Sequence, residues 1–413
     1  MGAANQLAAN KVKPKNEIRR KNMRKKNLTW VSLFLAMIMA LSLMITSCGS
    51  KTPSDDPTEP SSPPSIEATE PAPPAKTDPA PTDPEPAEPE TRTFTDSVDR
   101  EVEVPTKISR IAPSGPLAQI VLYTAAPNLL CGKAREFSDA QLKLIDKKFG
   151  DLPVFGQFYG KSSDFNLEAV LAAETEVIID IGEKKETIKE DMDGMQEQIN
   201  TPTIFIEATF AGMPKTYRDI GELIGDNSRT EELAKYCEAT LKLCEKAKAE
   251  IPEEDVVKVY WALGDLGLNT NAVGSFHSEL LDYIPVVNVA DVEACSKGGG
   301  TEVSMEQIIQ WNPDYILVDG AALAEEIKND PAWSTLEAVK NDKLIIVPSV
   351  PYGFMGAPPS VNRYLGVRWL GATFYPEIYE DSPETQVKDF FKLFYNIEVD
   401  DAQLEEILAG TFQ

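Results

Sequence analysis

The chain of 413 residues holds one histidine, His277, and five cysteines. A bare transition-metal ion such as zinc or manganese usually takes several imidazole or thiolate ligands at once, so a free-ion site is disfavoured. No CxxC pair occurs, and Cys237 and Cys244, seven apart on an expected helix, have Cα atoms roughly 10 Å apart, beyond disulfide reach. There is no GxSxG elbow, no HExxH and no GxGxxG after a strand, which removes the common hydrolytic and nucleotide sites. Positive charge is scarce too: 40 Lys and Arg stand against 66 Asp and Glu, a formal net charge of −26. General electrostatics will not draw such a chain to nucleic acid or anionic lipid.

The basic residues that are present crowd the start. Nine lie in residues 1–28 against the single acid Glu17, and an uncharged apolar run over 29–45 follows, close to the upper size of a signal-peptide core. Ile45-Thr46-Ser47-Cys48 then resembles a bacterial lipobox, with Cys48 as the lipidated mature N-terminus. An uncleaved anchor helix is the competing reading, and both put the remainder outside the membrane. Met23, before Arg24, Lys25 and Lys26, would itself open a signal of ordinary length, so translation starts at Met1 or Met23. Residues 49–92 carry 13 prolines and 10 acids, with Ile66 the sole large aliphatic. Such a stretch buries too little apolar surface to fold and reads as an extended, self-repelling tether with a reach on the order of 100 Å. Cleavage before Cys48 leaves 31 basic residues against 65 acids and a net charge of −34.

From residue 93 to about 212, short β-branched runs (110–112, 177–181, 203–206) alternate with helical segments (167–173, 187–199). Residues 228–250 then run without Gly or Pro, with Leu233, Tyr236, Cys237, Leu241, Cys244 and Ala247 at helical spacing, Ser228 able to cap and Pro252 to stop the helix. A second alternating region begins at 256–263, with strands at 315–318 and 344–347 and helices at 275–283, 304–311, 321–329 and 359–375. Residues 385–395 and 400–408 read as helices packed on this second lobe. The fold class is α/β: a lobe at 93–212, an inter-lobe helical region at 213–254 and a lobe at 255–413. The lobes share a unit. Asn166-Leu167-Glu168 opens a helix running into Glu176-Val177-Ile178-Ile179, and Ser304-Met305-Glu306 opens one running into Asp314-Tyr315-Ile316-Leu317, with glutamate and strand-opening acid eight apart in both.

The ordered array SxEQIIxWNPDYILV, then Asp330-Pro331-Ala332-Trp333 through Leu336, Ala338-Val339-Lys340, Ile345-Ile346-Val347-Pro348, Pro359-Ser360-Val361-Asn362-Arg363, Trp369-Leu370 and Tyr375-Pro376-Glu377, resembles the iron-siderophore and cobalamin class of ABC-importer binding proteins over roughly residues 93–380. The resemblance implies two Rossmann-like lobes joined by one rigid helix, a ligand cleft between them, closure limited to a small hinge, and an ABC permease with its ATPase as partner. It also implies that one surface glutamate per lobe docks with permease arginines, at positions matching Glu168 and Glu306. Acids near a helix N-terminus also favour the helix dipole by 0.3–1 kcal/mol, but the dipole alone does not ask for the same place in both lobes.

Cleft candidates are His277 near the start of an expected helix, Tyr159 in FGQFYG, Lys297 before Gly298-Gly299-Gly300, Tyr352 and Phe354 in PYGFMG, Trp261 and Arg363. Aromatic walls with one or two cations suit a bulky anionic chelate, although a lone histidine more often caps or packs, Arg363 could pair with an acid, and Tyr352 and Phe354 could pack the lobe. The expected ligand is a metal complex, ferric siderophore first, then corrinoid or haem, then a molybdate-type oxyanion. No cofactor, protein-held metal or catalytic constellation is expected. A surface enzyme or a transporter-free sensor on the same scaffold is the rival reading.

Overall fold

The computed structural model describes residues 90–159, 163–295 and 299–413; the signal, Cys48, the tether to residue 89 and Lys297 lie outside them. β1 (Thr91–Thr95) and β2 (Glu101–Pro105) form an antiparallel hairpin. β3 (Ile111–Pro113), β4 (Val177–Gly182) and β5 (Thr203–Glu207) make a parallel sheet in that order. In the second lobe come β6 (Val257–Ala262), β7 (Asn269–Thr270), β8 (Val286–Asn288), β9 (Thr301–Glu302), β10 (Tyr315–Val318) and β11 (Leu344–Ile346). Their parallel sheet has the order β11-β10-β6-β8, and β7 pairs antiparallel with β9.

The central strands of the two parallel sheets are apolar on both faces because helices cover both. On β4, Val177, Ile179 and Ile181 enter one core and Ile178 another; on β10, Leu317 enters the first core while Ile316 and Val318 enter a third. The first core runs through both lobes, from Phe94 and Ile111 through Leu233 and Cys237 of the long helix to Val259, Leu365 and Phe391. Separating the lobes would expose it, which argues for small hinge motion.

The Ser228–Glu250 helix falls where its unbroken pattern puts it. The capping differs from expectation: Ser228 is the first helical residue, and its N–H and hydroxyl both donate to the Asp226 carboxylate. The preceding Met213–Ile224 helix packs tightly because a Cβ on Gly221 would come within 2.3 Å of Thr230 Oγ1. Arg218 clamps the two helices through Glu231 (2.8 Å) and Glu238 (2.7 Å).

The duplicated unit is present in three dimensions. Asn166 and Ser304 cap their helices by accepting the N–H of Ala169 and Gln307. Val170 and Ile308 point inward, fully buried. Glu174 and Asn312 stand at equivalent left-handed positions (φ 48° and 44°), and Glu176 and Asp314 accept backbone N–H groups from the neighbouring strand segment.

Two other expectations need correction. Residues 275–283 are a turn followed by a short 3₁₀ helix, Glu279–Tyr283, since the Ser275 and Ser278 side chains bond locally and Gly274 sits at φ +76°. The C-terminal helices are not confined to the second lobe: Tyr123 of the first lobe donates to the Tyr395 carbonyl, and Arg229 reaches the carbonyls of Leu393 and Phe394.

Candidate functional site

In open parallel sheets, ligands gather beyond the carboxyl ends of the strands. In the first lobe those ends deliver Ser114, Glu183 and Phe210. Phe210 is fully buried, stacked on Tyr364 of the second lobe (4.4 Å, 6°) and against Tyr283 (4.1 Å, 33°), and its carbonyl accepts the Tyr364 hydroxyl. This aromatic cluster joins the lobes.

Arg363 lies beside it at 1% exposure, in the first turn of the Asn362–Phe374 helix. Asn362 donates to the carbonyls of Gly353 and Pro358 and so fixes the incoming loop. Gly366 lets that loop lie on the helix, since a Cβ there would approach the Phe354 carbonyl oxygen to 2.3 Å. The guanidinium packs against the rings of Phe210 (5.4 Å) and Phe276 (5.1 Å), a geometry that planar Arg suits and Lys does not. Its Nη1 donates to Glu279 at 2.6 Å, while Nε is buried without a partner.

Charges from both lobes meet here. Glu183 is exposed, yet its carboxyl is held above the ordinary range, chiefly by partial burial and then by the Glu279 charge, with Glu207 adding and Arg363 and Lys185 opposing. His277 is exposed, yet its imidazole is pushed below its usual value by partial burial and then by Arg363. Lys185 sits 3.5 Å from the Tyr159 ring, and the Tyr159 hydroxyl donates weakly to Asp191 at 3.4 Å. Burial, with Asp180 and Asp191 next, raises the Tyr159 phenol. Asp180, buried within β4, accepts the Ser114 hydroxyl, and its carboxyl is raised by its own burial.

The interactions thus link Arg363, His277 and Tyr159 through Glu183 and Lys185. Among the described residues, they do not bring in Phe354, Tyr352 or Trp261. Phe354 is fully buried against Trp369 and Phe391, and Tyr352 lies beside Tyr395 at 6% exposure. Trp261 is in the main core, its indole N–H unpartnered. No hydrogen bond, ion pair or ring contact links these three side chains to the Arg363 group, and each is held in packing of its own. Phe210, Glu183, Glu207 and Glu279 escaped the sequence reading, although Glu183 and Phe210 each follow a strand end, the position that this fold class uses. Among the described residues, no group of three or more His, Cys, Asp or Glu side chains is placed to hold a metal ion. Glu168 and Glu306 are exposed in the first turns of their helices, and the Glu306 carboxyl is held below its usual range by a backbone hydrogen bond and then the Ser304 hydroxyl. A separate cavity of about 860 Å³, lined by Tyr123, Phe149 and Arg229 among others, shares no residue with this group.

A family profile described as periplasmic binding protein matches residues 159–351. The solved structure of an ABC transporter solute-binding protein from Sulfurospirillum deleyianum is 31% identical and superposes with a TM-score of 0.69, covering 76% of this chain and 98% of that one. The chain belongs to the periplasmic binding protein family. Two further relatives of this binding protein are the molybdate-binding protein MolA of Haemophilus influenzae, 25% identical over 74% of this chain and 91% of that one, and the Fe(3+)-citrate-binding protein YfmC of Bacillus subtilis, 23% identical over 57% and 67%. They are named for binding, not for catalysis. The family resemblance read from the 304–377 array, and the α/β class of two lobes about one helix, hold.

Proposed function

We propose that this protein is the lipid-anchored, extracytoplasmic solute-binding component of an ABC importer, and that its cargo is an anionic metal complex, with a ferric siderophore first. Cys48 would fix it to the outer face of the cytoplasmic membrane, and residues 48–92 would let the body at 93–413 move above it. Cargo enters the open cleft, contacts from both lobes hold it, and docking through Glu168 and Glu306 hands it to the permease and its ATPase.

Arg363 carries the cargo assignment. A guanidinium held between two rings, with one edge on Glu279 and a buried, unpartnered Nε, is built to meet an anionic group, because an unsatisfied buried donor costs free energy until a ligand fills it. Three carboxylates nearby, Glu183, Glu207 and Glu279, oppose a compact dianion and are better tolerated by a chelate that spreads its charge over a larger surface. Tyr159, His277 and Lys297 complete the proposed ligand set. The second reading is a molybdate-type oxyanion, supported by the likeness to MolA; haem and corrinoid follow.

The test is native mass spectrometry of the full chain with ferric siderophores, ferric citrate, haemin, cobalamin, molybdate and free zinc, followed by tryptophan-fluorescence titration. A one-to-one chelate complex of micromolar or tighter affinity supports the reading. Binding of molybdate alone moves the assignment to the oxyanion, whereas tight binding of zinc alone, or turnover of any ligand, overturns it.

A further inference from the structure

We propose that Leu171 and Ile309 are paired apolar docking contacts, through which the two lobes engage a two-station partner that offers a basic side chain beside an apolar pocket at each station. The inference rests on the importer reading above and adds to it the surface that complements the charges.

Among the described residues, the exposed large hydrophobic side chains are Leu142, Leu171, Leu266, Val273, Val287 and Ile309. Such residues scattered singly need no explanation. Leu171 and Ile309 are not scattered: each follows the inward-pointing residue of the duplicated unit, Val170 or Ile308, and each stands three residues after the glutamate, on the same helix face. Leu171 is 54% exposed and Ile309 44%, while the residue before each is fully buried. Folding therefore takes its anchor from Val170 and Ile308 and leaves their neighbours in water, where a polar side chain would serve equally well. The cleft walls of the two lobes do not match, so a shared ligand does not explain the coincidence. A partner with two equivalent stations does, and the negative charge beside each apolar residue sets the chemistry of that partner as basic and apolar together. Met305, one turn before Ile309, and Leu266, 67% exposed, line a depression of about 150 Å³ with Leu268 and Trp333.

The test uses proteoliposomes carrying the importer whose ATPase the wild-type full chain stimulates. Leu171→Ser, Ile309→Ser and the double variant are compared with Glu168→Gln/Glu306→Gln, after thermal melting has shown that the folds are equal. Each apolar variant should raise the half-stimulating concentration about tenfold, the loss expected when one aliphatic side chain no longer becomes buried, and the effect should persist in 0.5 M NaCl. The glutamate variant should be impaired at low salt and converge on the wild type at high salt. Wild-type stimulation by the apolar double variant, alongside an impaired glutamate variant, would overturn the inference and leave docking intact. Wild-type stimulation by both would overturn docking through these units altogether, and a chain that stimulates no importer would instead refute the importer reading.

Discussion

On the outer surface the lobes carry the same residue chemistry at the same steps: Asn166, Glu168, Val170 and Leu171 in one, Ser304, Glu306, Ile308 and Ile309 in the other. Inside the cleft they part company. The first lobe supplies Glu183, Glu207, Lys185 and the wedge Phe210; the second supplies Arg363, Glu279, Phe276 and His277. What is duplicated is exposed, as the proposed two-station docking requires, and what is unique gathers around Arg363, as the proposed single ligand site requires. The one place at which this division breaks down is the shared core, since Phe210 belongs to the first lobe by sequence and to the second by its stacking partners.

Phe210→Ala is the harshest test of that division. Removing a fully buried ring stacked across the lobes should cost about 3–4 kcal/mol in urea unfolding, in one cooperative transition. Two separated transitions would show that the lobes fold independently and that the shared core is less than it looks. Arg363→Ala should follow, with roughly a hundredfold loss of cargo affinity, about 2.7 kcal/mol, while Arg363→Lys keeps the charge, loses the fork between the rings and should fall about tenfold short. Equal binding by all three forms would place the ligand elsewhere. In the duplicated units, Asn166→Ala and Ser304→Ala each remove a helix cap and should each cost about 1 kcal/mol. Unequal losses in denaturant titrations would mean that one lobe depends on its unit more than the other.

The fold was legible because it rests on periodicity. The long helix, β4, β10 and the 166–176 and 304–314 repeat depend on spacing, cap residues and breakers that a linear chain displays. The β1–β2 hairpin was missed although Glu101–Pro105 alternates cleanly, with Val102 and Val104 inward. Ser228 read as a cap, but Asp226 two residues earlier is the better acceptor, a competition that only the geometry of the turn decides. The site was less legible. Tyr352 and Phe354 have the composition of a ligand wall and the burial of a core, and the sequence does not separate the two. Arg363 stood out by type and place. Its rings and its acid, Phe210, Phe276 and Glu279, come from segments far away in the chain, and that convergence is created only by folding.

The smallest expected effect lies with Glu183, the first-lobe acid that faces the Arg363 group. Its carboxyl is held above the ordinary range mainly by burial and by Glu279, so the folded protein takes up a proton there before the unfolded chain does. Stability from this group therefore rises as pH falls through the raised folded value and levels off below the unfolded one. Cargo binding should follow the same direction: protonation removes one of the carboxylates that compete with an anionic ligand for Arg363, and affinity should improve about threefold as pH falls through the raised Glu183 value. Glu183→Gln should bind at neutral pH as the wild type does once Glu183 is protonated, with a flattened profile. His277 also gains positive charge on acidification, through an imidazole depressed by partial burial and then by Arg363, so His277→Asn separates its share of the profile from that of Glu183. If His277→Asn flattens the profile and Glu183→Gln does not, the first-lobe acids lie outside the reach of the ligand, and the cleft is chemically the property of the second lobe alone.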